Sequence, residues 1–357
     1  MATDAQYLCT GCGTTNRPQA RFCTVCGHPL ALSHAVTPEE RVLKGRYHVL
    51  AHLGSGGYGK VYQAEDREFG NRLVAIKELR CRAMSEKEKQ ETAEAFKQEA
   101  FLLAKLVHPN LPSIFDYFTE DGNWFLVMSF IEGLSLENYL RKMPGNRLSV
   151  AEVMHIGIQL CTVLDYLHSR PSPIIFRDLK PSNIMRTRQG QVYLIDFGIA
   201  RIFKQGQTKD TVALGSPGFA APEQYGKAQS TPQTDIYSLG ATLHYLLSGQ
   251  DPSYTPFSFE PLDLPEYLGI NSLLLAMVDP DVRKRPLNVI AVKQGLERIL
   301  KQCPPGLVLR ERSRRVQPST PVYIPPLQAA RPEIPPPSMH PRRGEKRSPL
   351  AFLQRMR

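Results

Sequence analysis

At 357 residues the chain exceeds one average domain, leaving room for a core of about 250 residues plus appendages. Its 42% apolar and 22% charged residues exclude a wholly disordered or fibrous chain. No run of about 18 apolar residues is present, and the start "MATDAQYLCTGCG" lacks the basic and apolar regions of a signal peptide, so a soluble, cytoplasmic protein is expected. The formal net charge is +10, yet positions 301–357 hold 12 Lys and Arg against 3 Asp and Glu. Attraction to nucleic acid or to a membrane surface is therefore expected from that tail alone and not from the main domain.

The first element in chain order is a cysteine cluster. Cys9, Cys12, Cys23 and Cys26 form two C-x-x-C pairs ten residues apart. Without a secretion signal, a metal outranks disulfides for such a cluster. Four thiolates suit a closed, structural, tetrahedral Zn²⁺ site, and the segment 1–30 resembles a small zinc-ribbon module. His28 follows when four ligands are already present and is read as a non-ligand. Arg17 and Arg21 are the module's only basic residues, which favours a protein partner over nucleic acid. Cys81, Cys161 and Cys303 are read as ordinary thiols, and residues 31–45 as a linker.

From residue 46 the pattern is strand-rich: "YHVLAHL", "VYQAED", "RLVAIKEL" and "WFLVMSF" are enriched in β-branched and aromatic residues between glycine-bearing turns. Asp121-Gly122 in "TEDGN" predicts a hairpin turn. One helix is expected from Ser85 to Val107, opened by the capping box Ser85-x-x-Glu88. After residue 133 helices take over. Ser149-x-x-Glu152 opens one with Val153, Ile156, Leu160, Leu164 and Leu167 on a single apolar face, and another is expected from Asp235 to Ser248, stopped by Gly249. The fold class is α+β, a small strand-rich lobe and a larger helical lobe with a cleft between them, where ligands bind. Residues 303–357 hold 12 prolines and few long apolar side chains, so they are expected to be disordered.

Several motifs carry chemistry. Gly54, Gly56 and Gly59 form G-x-G-x-x-G, with Ser55, Gly57 and Val61 in the same stretch. Because these glycines join two strands and do not open a helix, they suit a hairpin that covers phosphates. Lys77 ends "VAIK" on the next strand. Glu99 sits beside the stripe Leu102, Leu103, Leu106 on the capped helix, placed to pin that lysine against the phosphates of a nucleotide. In "FRDLKPSNIM", Asp178 can accept a hydroxyl proton and Lys180 can steady phosphoryl charge. Asn183 and Asp196, the latter in "IDFG", supply the oxygen ligands that Mg²⁺ wants.

Assembled in this order, the motifs resemble the bacterial-type branch of the Ser/Thr protein kinase family, over about residues 46–302. That resemblance implies a two-lobed kinase fold, Mg-ATP as phosphoryl donor and a protein hydroxyl as acceptor. It makes Lys77 and Glu99 an ion pair, Asp178 the catalytic base, and Asn183 and Asp196 the metal ligands. Met128 aligns with the residue guarding the adenine pocket, and Ser129 to Ile131 with the adenine-binding hinge. "GSPGFAAPE" resembles the end of the activation segment, with Ser216 facing the catalytic loop and Glu223 pairing with Arg285. Arg177 implies control by a phosphate on Thr208 or Thr211.

Two departures stand out. Phe176 replaces the family's usual His, and is expected to stack on Phe197 without loss of activity. Ser129 replaces the usual hinge Glu. Three other readings stay open at this stage: a non-catalytic nucleotide-binding scaffold, a nucleic-acid-binding protein acting through ribbon and tail, and a small-molecule phosphotransferase, which would not need "GSPGFAAPE".

Overall fold

A computed structural model of the chain describes residues 41–56, 59–79, 101–197, 215–226 and 229–302, with positions 7–8, 15–16, 20, 94, 97, 100 and 201–202 besides. The four clustered cysteines, Gly57, the Ser85–Glu88 cap, Glu99, Thr208, Thr211 and the 303–357 tail lie outside the described residues.

Near the start, β1 (Tyr7–Leu8) pairs antiparallel with β2 (Thr15–Asn16). A six-stranded antiparallel sheet follows, built from β3 (Val42–Leu43), β4 (Tyr47–Gly56), β5 (Gly59–Asp66), β6 (Arg72–Leu79), β7 (Ile114–Glu120) and β8 (Asn123–Ser129) in the order β3-β4-β5-β6-β8-β7. Alternation sets its faces. On β6, Val74 and Ile76 turn to an outer core with Leu43, Tyr47, Ala64, Phe118, Phe125 and Val127, while Ala75 and Lys77 turn to the other side. The expected hairpin joins β7 to β8. Asp121 and Gly122 both take left-handed backbone, φ 50° and 74°, the pair that matches the twist of the flanking strands.

The linker expected over 31–45 ends early, because Val42–Leu43 already adds an edge strand and Leu43 is 2% exposed. The helix predicted to reach Val107 is helical at 101–104 (α1) and then tightens into a turn closed by Leu106 N to Leu103 O. His108 precedes Pro109, and a residue before proline is pushed out of helical backbone.

The helical lobe holds α2 (Leu136–Leu140), α3 (Val150–His168), α4 (Pro222–Tyr225), α5 (Pro232–Ser248), α6 (Ile270–Met277) and α7 (Val289–Gln302). Ser149 caps α3 by accepting from Glu152 N, as its spacing predicts. All five residues of the predicted stripe, Val153 to Leu167, are buried in the main core. α3 is long and apolar enough to cross a membrane, but 61% of it is buried inside the fold, as a core helix would be. α5 begins three residues before Asp235, because Pro232 at the first position needs no N–H partner. Gly249 ends it at φ 73°, as expected.

Short strands finish the lobe. β9 (Gly133–Ser135), β11 (Ile184–Thr187) and β12 (Val192–Leu194) form one sheet, and β10 (Ile174–Ile175) pairs with β13 (Arg201–Ile202). β12 stops two residues short of Asp196, which takes left-handed backbone at φ 67°.

Candidate active site

The loop after β10 is clamped from below by α5. Asp235, fully buried in the first turn of that helix, accepts from Phe176 N at 2.9 Å and Arg177 N at 2.7 Å, and lies 2.8 Å from His168 Nε2. Arg177 is held at φ 71°, a left-handed posture that a non-glycine residue keeps only when its surroundings impose it. The clamp makes "FRD" rigid. The sequence placed Asp235 at the start of a helix but gave no role to His168.

One residue further on, Asp178 is gripped on both oxygens. Asn183 Nδ2 donates to its carbonyl at 2.9 Å and to Oδ2 at 2.8 Å, and Lys180 Nζ reaches Oδ2 at 2.9 Å. Ser216 Oγ donates to Oδ1 at 2.7 Å while accepting from Lys180 Nζ at 2.5 Å. Ser216 therefore faces the catalytic loop as expected. Gln224, which sequence reading missed, ties the two segments together: its Nε2 donates to Arg177 O and its Oε1 accepts from Ala221 N. Its one sequence signal is its place at the third position of α4, where a side chain reaches back to the cap.

Across the cleft, Lys77 Nζ meets Asp196 Oδ1 at 2.9 Å. Glu99, its expected partner, lies outside the described residues. Asn183 spends its amide nitrogen on Asp178, which turns the amide oxygen away from that carboxylate. Asp196 is a carboxylate with 43% of its side chain exposed. One amide oxygen and one carboxylate make the donor set that Mg²⁺ takes beside a nucleotide, so the residues fit that ion. Among the described residues no group of three His, Cys, Asp or Glu side chains forms a further metal site.

Gly56 pairs with Gly59 at the head of the glycine-rich hairpin. A Cβ at Gly59 would run into the Glu78 carbonyl, and φ is 149° there, so the strand crossing admits no side chain. Met128 stands opposite Ala75 on β6, and Ser129 opposite Val74. The Ser129 hydroxyl accepts from Ser113 N at 3.1 Å, so where the family carries Glu this hinge is tied to the lead-in of β7. A cavity of about 350 Å³ opens beside the hinge, lined by residues 129–132, 187–189 and Tyr193, and includes neither Asp178 nor Lys77.

Phe176 meets Phe197 edge-on, ring centroids 5.0 Å apart at 85°, both rings 1% exposed. The stack expected from sequence is present. Arg285 binds Glu223 through both guanidinium arms, at 2.8 and 2.9 Å.

Residues 47–261 match the family described as protein kinase domain. The chain belongs to that family. Among its relatives, the probable serine/threonine-protein kinase PknB of Lactococcus lactis is 37% identical over 214 residues, 59% of this chain and 33% of that protein. The serine/threonine-protein kinase PknA of Nostoc sp. is 35% identical over 260 residues, 69% of this chain and 45% of that protein. PrkC of Bacillus subtilis, named a serine/threonine-protein kinase, is 35% identical over 211 residues, 59% of this chain and 31% of that protein. The chain thus spans about a third to a half of the length of these curated relatives. Within this kinase domain the strand-rich lobe carries Lys77 and the helical lobe carries Asp178, Asn183 and Asp196.

Proposed function

We propose that the chain is a serine/threonine protein kinase, transferring the γ-phosphoryl of ATP to a protein hydroxyl. The observation that carries this reading is the Asp178 carboxylate, held by Asn183, Lys180 and Ser216 across the cleft from the Lys77–Asp196 pair. Asp178 would accept the proton as the substrate oxygen attacks phosphorus, and Lys180 would balance the charge on the moving phosphoryl group. Mg²⁺, held by Asn183 and Asp196, would neutralise phosphate charge. Lys77 would hold the nucleotide phosphates, and Gly54, Gly56 and Gly59 would let the hairpin backbone close on them. Met128 and Ser129 to Ile131 would receive the adenine.

The test is phosphate incorporation into a generic protein acceptor with Mg-ATP, run beside Asp178→Asn. Wild-type incorporation falling by about 10²- to 10⁴-fold in the variant is expected for loss of a general base. Equal incorporation in both would falsify the reading.

Two further parts of the reading concern residues outside the described set. Cys9, Cys12, Cys23 and Cys26 form a structural zinc ribbon that contacts a protein. The antiparallel β1–β2 pair supports this, since Cys9 and Cys12 fall in the loop between those strands, where a metal knuckle would form. Zinc content near one per chain is expected, and a value well below that sinks the assignment. Phosphorylation of Thr208 or Thr211 raises activity, a reading supported by Arg177 beside the base; phosphatase treatment that leaves the rate unchanged would remove it.

A further inference from the structure

Residues 41–46 lie just upstream of the segment that matches the protein kinase domain, 47–261. They are nonetheless fastened to the strand-rich lobe at three points. Arg41 Nη2 reaches Glu78 Oε1 at 3.1 Å, Lys44 Nζ reaches Asp116 Oδ2 at 2.9 Å, and Arg46 Nε reaches Asp66 Oδ1 at 2.6 Å. The first differs from the others in where its partner sits.

Glu78 follows Lys77 on β6 and, by strand alternation, points to the opposite face. That face is the outer core, and the Glu78 side chain is only 1% exposed. Tyr62 Oη donates to Oε2 at 2.7 Å and Asn123 Nδ2 to Oε1 at 3.2 Å. Burial, and then the bond to Glu78, push the Tyr62 hydroxyl pKa up, so the phenol stays a donor. Arg41 supplies the countercharge, its guanidinium lying 5.2 Å from the Tyr62 ring centroid and 5.8 Å from that of Phe125. Losing a cationic partner drives a buried carboxylate toward taking a proton, admitting water or shifting its strand. Any shift at Glu78 is a shift one residue from Lys77. The Glu78 carbonyl also sits against Gly59, so the same movement reaches the glycine-rich hairpin.

We propose that Arg41, acting through Glu78, is a positioning residue for Lys77 and the glycine-rich hairpin, so that the strap upstream of the kinase domain sets nucleotide affinity. The proposal rests on the kinase reading given above.

The test is the Kd for Mg-ATP, measured by calorimetry on the full chain, with melting temperature recorded in parallel. Arg41→Met keeps the aliphatic stem over the rings and removes the charge; it is expected to weaken binding by about threefold or more. Lys44→Met cuts an ion pair to β7 instead and is expected to lower the melting temperature while binding stays within about twofold. Arg41→Met with Glu78→Gln removes both charges and is expected to bind within about twofold of wild type, a coupling that simple loss of strap packing does not produce. Arg41→Met binding like wild type, Lys44→Met weakening it equally, or the double variant failing to recover would each overturn the proposal. Should Arg41→Met not fold, a double variant that folds but binds weakly also overturns it, and one that folds and binds like wild type supports it. Wild type that binds no Mg-ATP overturns the kinase reading itself.

Discussion

Ser216 Oγ donates to Asp178 Oδ1 at 2.7 Å, and so the end of the activation segment rests on the proposed catalytic base. Lys180 closes the triangle by contacting both. Removing the hydroxyl frees one oxygen of Asp178 and one bond of Lys180. Ser216→Ala is expected to lower kcat about tenfold, the worth of one hydrogen bond to a charged group. Ser216→Thr keeps the hydroxyl and should stay within about threefold of wild type. Steady-state phosphotransfer measures both.

The Phe176–Phe197 contact separates packing from proton transfer. Neither ring carries a group that can move a proton. Phe176→His is expected to leave activity within about tenfold, roughly 1.4 kcal/mol of barrier. Phe176→Ala leaves a cavity beneath the turn that carries Asp196 and should cost about 3–5 kcal/mol of stability by urea denaturation.

Arg285 and Glu223 form a two-armed pair, their side chains 0% and 10% exposed. Losing one partner of a buried pair leaves an uncompensated charge. Arg285→Met is expected to destabilise by about 3–5 kcal/mol and to loosen the activation segment, seen as faster amide exchange at Ala220 and Gln224.

A pH dependence follows from Asp66, fully buried between Arg46 and Arg72. The bond from Arg46, then that from Arg72, outweigh burial and hold its carboxyl below the usual range. A lowered pKa contributes stability above the unfolded value, near 4, and that contribution is lost as pH falls through the folded value. Asp66→Asn is expected to cost about 2–3 kcal/mol at neutral pH. The gap between wild type and variant should narrow below about pH 4; a gap constant down to pH 3 contradicts the assignment.

Much of this was legible because its signals are local. Asp121-Gly122 carries its own turn chemistry, Ser149 and Glu152 carry a cap, and the Val153–Leu167 stripe carries a period. The order of Gly54, Lys77, Asp178 and Asp196 carried the family. Contacts that bridge distant positions left no such trace. Arg41 and Glu78 are 37 residues apart and Lys77 and Asp196 are 119 apart, so no periodicity links them. The strand β7, "IFDYFTE", has no clean alternation, because its register with β8 slips between Ile114 and Asp116. His168 carries no signal of its own beside the stripe that ends at Leu167, and only the return of α5 beneath it explains its place.

The glycines of the hairpin also divide the constraints on this chain into two kinds. Nothing stands within 4 Å of where a Cβ on Gly54 would go, whereas at Gly59 the Glu78 carbonyl already fills that space. In a saturation library selected for folded protein alone, position 54 should accept alanine and serine freely and position 59 should accept almost nothing. Selection for phosphotransfer should then remove substitutions at 54 as well. Two letters that look identical in the sequence would be held in place by different pressures, one by the fold and one by the reaction.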